Sequence, residues 1–443
     1  YFVQRAIVHK PDRPERDDRG EFMTKTLPAP KPGAFRRLAI GLAASAALLF
    51  CGAALVEARD LTLGMTIEPT GLDPTIAAPV AIGQVTWQNI FEGLVTIDRD
   101  GKIRPQLAKS WEISSDGLTY TFRLEEGVKF HDGEVFDSAV AKASLERARG
   151  ADSVNPQKRF FAAIDTIETP DAATLVLKLK EPAGSLLYWL GWPSSVILGT
   201  KSAATAKTTP VGTGPFRFVN WAKGDKVELA ANPDYWNEAV KVKLDKVTFR
   251  FIADPQAQAA ALKSGDVDAF PEFGAPELVE SFKDDERLVT VIGNTELKVV
   301  AGMNNDRKPF NDKRVRQALM MALDRSVIID GAWSGYGTPI GSHYTPNDPG
   351  YVDLTGLYPY DPAKARALLA EAGHPEGFEA TLKLPPPLYA RRAGELIAAL
   401  LADVGVRVRI ENTEWAPWLE QVFRGKDYDL TVIAHTEPLD IDI

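Results

Sequence analysis

Hydrophobic and polar positions alternate with period two through Tyr120, Phe122 and Leu124, and again across residues 174–179, which predicts strands with one buried face. The same alternation in Phe216 and Phe218, then in Val227 and Leu229, predicts two short strands joined around Gly224-Asp225. Apolar runs at 61–65, 247–251, 299–303, 380–384, 406–410 and 430–434 read as further strands. Helical stretches are predicted over 87–94, 139–149, 256–263, 362–372 and 391–404, the last two stopped by Gly373 and Gly405. Another helix starts after Asn311 or Asp312, either of which can cap it. The strand–helix–strand order across 247–269 predicts a βαβ unit, and such units build open α/β sheets whose ligands sit beyond the strand ends. A chain of 443 residues exceeds one ordinary core, so about two to three domains are expected.

Charge narrows the partners. The chain carries a net charge of -9, and residues after 58 alone carry -12, an acidic body that argues against nucleic acid. Arg36-Arg37 precede the uncharged stretch 38–55, and Val56-Glu57-Ala58 places small residues where a signal peptidase cuts, so residues 23–58 are expected to be a secretory signal peptide. An uncleaved membrane anchor is the competing reading. The single cysteine, Cys51, lies within that stretch, so disulfides do not hold the body. Lipid attachment at Cys51 is disfavoured by Phe50, which stands where lipoprotein signals usually carry Gly or Ala. Residues 1–22 are polar and lack periodicity, and Met23 is the expected start, so 1–22 are set aside as an upstream extension outside the fold.

Four segments carry a resemblance. They are Pro210-Val211-Gly212-Thr213-Gly214-Pro215-Phe216 followed by Asn232-Pro233-Asp234-Tyr235-Trp236; Pro105 to Glu112 with Leu118 to Leu124; Phe130-His131-Asp132-Gly133; and Val299 to Asn305 leading through Pro309 to Arg325. Taken physically, the glycines and prolines of 210–215 forbid helix and suit a rigid turn where two backbones come close. A phosphate loop is excluded there, because no Gly-Lys-Ser/Thr follows and the prolines remove amide donors. His131-Asp132 reads as a turn satisfied by local hydrogen bonds, since no second histidine stands at ligand spacing. In order and spacing these segments resemble the extracytoplasmic solute-binding proteins of family 5, the peptide/nickel type, over about residues 60–443.

That resemblance implies an α/β, two-lobed, type II-like periplasmic-binding-protein fold with an inserted subdomain in the first lobe. Residues 59–100 with 208–302 would form lobe I, 101–207 its insertion, and 303–443 lobe II, with Met303-Asn304-Asn305 as a hinge crossing. Family members usually continue and return to lobe I, so the C-terminal part is expected to be missing. The implied function is the solute-binding component of an ABC importer. It would be periplasmic, most simply a monomer, and would pass a small peptide or amino-acid-derived solute to the membrane permease. An oligosaccharide, opine, glutathione or metal chelate is the alternative.

The sequence offers no Gly-x-Ser-x-Gly elbow, no His-Glu-x-x-His helix and no cysteine nucleophile in the body, so an enzyme is not expected, and neither a metal nor a cofactor is invoked. A binding cleft instead needs polar anchors and aromatic walls. The expected ligand-binding residues are Glu437, with Asp440 as the alternative register, His435, Trp415, Tyr389 and Val80. Glu437 would pair with a ligand ammonium, Trp415 and Tyr389 would stack, Arg391 could hold a carboxylate, and Val80 would offer backbone groups from the first lobe.

Overall fold

The computed structural model of the chain describes residues 7–9 and 60–436, apart from 241, 296 and 349. Two separate sheets organise it. The first has seven strands, and its central strand, Asp60–Met65, is flanked on both sides in parallel by Lys246–Phe251 and Ala269–Phe270. These two neighbours are joined by the helix Pro255–Ser264, which is the expected βαβ unit. The helix starts on an Asp254 cap with Pro255 in its first turn and stops at Gly265, whose φ of 81° only glycine adopts at little cost. Phe216–Ala222 and Lys226–Ala231 extend the sheet as a hairpin turning at Gly224, as their alternation predicted.

At the other edge, Ile7–His9 pairs antiparallel with both Ala269–Phe270 and Leu288–Thr290. Residues 1–22 were set outside the fold because they lack periodicity. The three-residue strand corrects this for 7–9, because a stretch that short carries no period and is recruited through backbone ladder groups.

The second sheet orders Leu297–Met303, Leu430–Thr436, Phe378–Leu384 and Val406–Asn412. Its helices Lys313–Ala322, Pro362–Glu371 and Leu388–Ala402 cover a core that includes Phe310, Leu319, Leu369, Leu382, Ile397 and Val432. Asp312, not Asn311, caps the first of these helices through the Arg314 amide. All seven residues of Leu297–Met303 pair with Leu430–Thr436, so the chain passes from the first sheet to the second through residues 291–296. Asn304 is no hinge. Its side chain donates to the carbonyls of Lys426 and Tyr428, and Arg307 joins it by pairing with Asp427 and Asp429.

Residues 94–197 enclose a third core around a four-stranded antiparallel sheet in which Ala108–Ile113, Thr119–Leu124, Thr174–Leu179 and Ile164–Asp171 are neighbours in that order. Phe160 stacks on Trp189 at 4.9 Å and meets Trp192 edge-on, which makes these rings packing elements. The helix expected at 87–94 runs instead over Val80–Thr86. The chain then turns through Gln88, at φ 61°, and the amides of Ile90 and Phe91 both donate to the Thr86 carbonyl.

Candidate binding cleft

The glycine-rich marker turn belongs to the scaffold. A Cβ on Gly212 would stand 1.9 Å from the Ile90 carbonyl oxygen, and one on Gly214 would stand 2.4 Å from that of Asn89. The two backbones do meet there, as the sequence predicted. Beneath the turn lies Glu92, 1% exposed. Its Oε2 accepts from Thr213 Oγ1 and Trp236 Nε1, both at 2.8 Å, and its Oε1 accepts from the Tyr235 hydroxyl at 2.7 Å. The two marker segments, 210–216 and 232–236, thus converge on one buried carboxylate. Burial raises the Glu92 pKa, against the lowering effect of these donors. His131 completes the knot, with Nε2 donating to the Gly214 carbonyl at 3.0 Å and Nδ1 accepting from the Gly212 amide.

A different set of groups gathers where the two sheets face each other. Tyr389, in the first turn of the helix Leu388–Ala402, stacks on Trp333 with ring centroids 6.4 Å apart and planes 15° from parallel. Its hydroxyl accepts from the Ala434 amide, which ties the ring pair to the end of the strand Leu430–Thr436. Burial pushes the Tyr389 hydroxyl up to about 12, and the charge of Glu272, on the first-sheet side, adds to the rise. Glu272 follows the strand Ala269–Phe270. Its side chain is exposed, and desolvation by the surrounding protein raises its carboxyl pKa.

Two contacts bridge the sheets beside this pair. Arg392 donates both guanidinium nitrogens to Glu277, at 2.9 and 2.8 Å, and the Tyr336 hydroxyl donates to Glu280 at 2.6 Å. Glu277 and Glu280 lie on the turn Pro276–Phe282, which packs with the first sheet through Val279 and Phe282.

The remaining expected residues separate. His435 lies opposite the buried Lys298 in the strand pair, its ring 5.6 Å from that of His343, whose neighbour Tyr344 lies 6.0 Å from the Lys298 ammonium. His435 and Tyr389 therefore meet the same strand end. Trp415 packs edge-on against Trp418 at 5.8 Å, and Trp418 is 4% exposed with its Nε1 donating to Thr431 Oγ1. This couple anchors the segment to its own sheet, while Glu414 next to it approaches Arg391 at 3.7 Å. The Arg391 Nε is buried without a hydrogen-bond partner among the described residues. Val80 is 48% exposed at the start of its helix, and no described hydrogen bond, ring contact or core cluster joins it to Tyr389 or His435. Glu437 and Asp440 lie outside the described residues.

Glu272, Trp333, Tyr336 and the Glu277–Arg392 pair were not anticipated. Their only sequence signal is position after a strand or at the end of a helix. A further concavity, of roughly 320 Å³, lies by Thr75 and Arg147, and there Arg147 is held by Asp73 and Thr75. Among the described residues no group of three or more possible metal ligands is found, and no helix is long and apolar enough to cross a membrane.

Two facing α/β sheets with polar and aromatic groups between them define a solute-binding protein of the two-lobed type. The chain belongs to the bacterial extracellular solute-binding proteins, family 5, whose model matches residues 102–438. It is the solute-binding component of an ABC importer, which presents a small ligand to the permease, and it is not an enzyme. It is 36% identical over 361 residues to the glutathione-binding protein GsiB of Pectobacterium atrosepticum, a match covering 80% of this chain and 69% of that protein. Among solved structures it resembles the PBP AgaA from A.tumefacien R10 in complex with agropinic acid, with a TM-score of 0.76 and 35% identity over 85% of this chain and 77% of the other. It also resembles the periplasmic binding protein DppA of Helicobacter pylori in complex with the peptide STSA, with a TM-score of 0.79 and 28% identity over 87% and 80%. The type II periplasmic-binding fold expected from the sequence is thereby established.

Proposed function

We propose that the solute is a small peptide or amino-acid-derived molecule bearing both an ammonium and a carboxylate, captured between the two sheets. The observation that supports this most is the Trp333–Tyr389 ring pair beside the Arg392–Glu277 and Tyr336–Glu280 bridges that join the two sheets. Glu272 and the Arg391 Nε lack hydrogen-bond partners among the described residues, and Trp333 with Tyr389 supplies an apolar wall. A buried donor without an acceptor costs free energy, on the order of 1–3 kcal/mol, which a ligand carboxylate at Arg391 would offset. The relatives include the glutathione-binding protein GsiB and structures in complex with agropinic acid and with the peptide STSA, which supports an amino-acid-derived solute. A sugar reading draws on Trp415, Trp418 and Tyr389 as stacking platforms in the cleft; the packing of Trp415 and Trp418 against each other counts against it, while Tyr389 at the cleft fits either solute.

On this reading the chain works as a monomer in the periplasm, reached by a signal peptide at 23–58. His435 and Glu437, at and beyond the strand end that Tyr389 touches, would contribute to the same wall. Thermal-shift screening of the mature protein tests the proposal, because a ligand that binds only the folded state raises the melting temperature by mass action. Peptides, glutathione or opine-type conjugates are expected to raise it and neutral oligosaccharides to leave it unchanged. The reverse pattern would overturn the proposal.

A further inference from the structure

We infer that Tyr336 and the Glu277–Arg392 fork form a latch between the two lobes that holds the cleft shut before a solute enters. The inference concerns the resting shape of the free protein and stands whatever the solute proves to be. Ala332 and Trp333, at the end of the helix Arg325–Trp333, belong to the core of the second-sheet lobe. The next two residues both take left-handed backbone, Ser334 at φ 52° and Gly335 at φ 79°. A serine enters that region at a cost, and such conformations persist where the surroundings use the direction they give the chain. Here the turn carries Tyr336 out of its own lobe. Its ring packs with Leu278 against the first-sheet core that holds Phe273, Val279 and Phe282, and its hydroxyl donates to Glu280 at 2.6 Å. Lys283 of the first lobe holds the same carboxylate and so fixes its position.

The second contact lies on the same edge. Pro276–Phe282 is a 3-10 turn, in which residues three apart eclipse, so Glu277 and Glu280 face the same way. Arg392, one helical turn beyond Tyr389, reaches Glu277 with both guanidinium nitrogens. None of these four side chains needs a solute atom to complete its bridge. Contacts that join the lobes directly favour the closed arrangement in free and loaded protein alike, so a solute enters only through a transient opening. The fork keeps part of its exposure, which limits each bridge to a roughly fivefold shift in the closed-to-open ratio. Two bridges on one edge shift that ratio by on the order of tenfold or more.

The test reads the distance between the lobes. The body after Ala58 has no cysteine, so spin labels at Val219→Cys in the first lobe and Phe423→Cys in the second, both well exposed, report that distance by pulsed electron resonance. The mature protein is freed of carried-over solute by partial denaturation and dialysis and is measured with nothing added. The labelled protein with its latch intact is compared with Glu277→Gln/Glu280→Gln, Tyr336→Ala and Tyr336→Phe. The intact latch is expected to give one short distance. The glutamine pair and Tyr336→Ala should move about half of the molecules or more to a longer distance, with Tyr336→Phe between them because it keeps the packing and loses the hydroxyl. Melting temperatures report whether each variant is folded, and the glutamine pair, isosteric and on the surface, keeps the test decisive if Tyr336→Ala unfolds. A long distance predominating with the latch intact, or a distance left unchanged in the folded variants, overturns the latch while the two-lobed binding role stands.

Discussion

Gly212 and Gly214 have no room for a side chain, because carbonyl oxygens of the 89–90 turn stand where a Cβ would go. Gly212→Ala is therefore expected to cost about 3 kcal/mol, since the obstructing atom is backbone and cannot swing aside. A chemical-denaturation midpoint close to wild type would contradict this. Below that turn, Glu92→Gln puts an NH2 group where two donors converge on each carboxylate oxygen. A loss of about 1–3 kcal/mol in unfolding free energy is expected, by the cost of unsatisfied buried donors.

His131 gives the pH dependence. Burial pushes its imidazole down to about 4, and Nδ1 already faces the Gly212 amide, leaving no acceptor for a second proton. The folded pKa lies below the unfolded value of about 6.5, so the unfolded chain binds the proton first. Stability is then complete above about pH 6.5 and falls as pH drops toward 4, by about 3 kcal/mol at most. A series of denaturation curves across that window should show a steeper loss for wild type than for His131→Gln. Parallel curves would count against it. The sequence made the close approach at 210–215 legible because only glycine and proline explain such a segment. It could not reveal Glu92, because an acidic residue about 120 positions away carries no local mark of its partners.

At the scale of elements, periodicity identified the strands and helices that have one buried face. Residues 174–179 and 362–371 fall within a residue of their expected bounds, since alternation and an Asp-Pro start with a glycine stop are local signals. The helix expected at 87–94 was misplaced because Trp87, Ile90, Phe91 and Leu94 are apolar at helical spacing, yet Ile90, Phe91 and Leu94 are buried, and Trp87 partly so, around a turn that folds back on Thr86. The crossing between sheets was displaced to 291–296 because strand membership is decided by pairing partners far along the chain.

The cleft bridges belong to this scale as well. The Glu277–Arg392 fork is bidentate, yet both side chains keep part of their exposure, so it contributes no more than about 1 kcal/mol. Glu277→Gln is expected to weaken solute binding by roughly 2–5-fold at low salt, and the difference should shrink at high ionic strength. Equal affinities at both salt concentrations would show that the fork plays no part in solute binding.

For the whole molecule, the resemblance carried by the marker segments in their order indicated the transport role, and the family match and solved relatives carry it. The proposed wall was only partly legible. Tyr389 and His435 were singled out through the resemblance, and the structure brings both to the end of the strand Leu430–Thr436. Glu272, Trp333 and Arg392 emerge only when two segments distant in sequence face one another. Trp415 was read as a platform because tryptophan beside a strand end suits either stacking or core; it packs edge-on against Trp418 and stays partly exposed.

The central claim is that this chain binds one zwitterionic, peptide-like solute between its two sheets without altering it. Isothermal titration of the mature protein with glutathione, dipeptides and opine-type conjugates, followed by mass analysis of the recovered solute, tests it most directly. The account predicts saturable binding of a single solute molecule per chain, recovered chemically unchanged. Absence of binding to every such solute, or recovery of cleaved products, would contradict it.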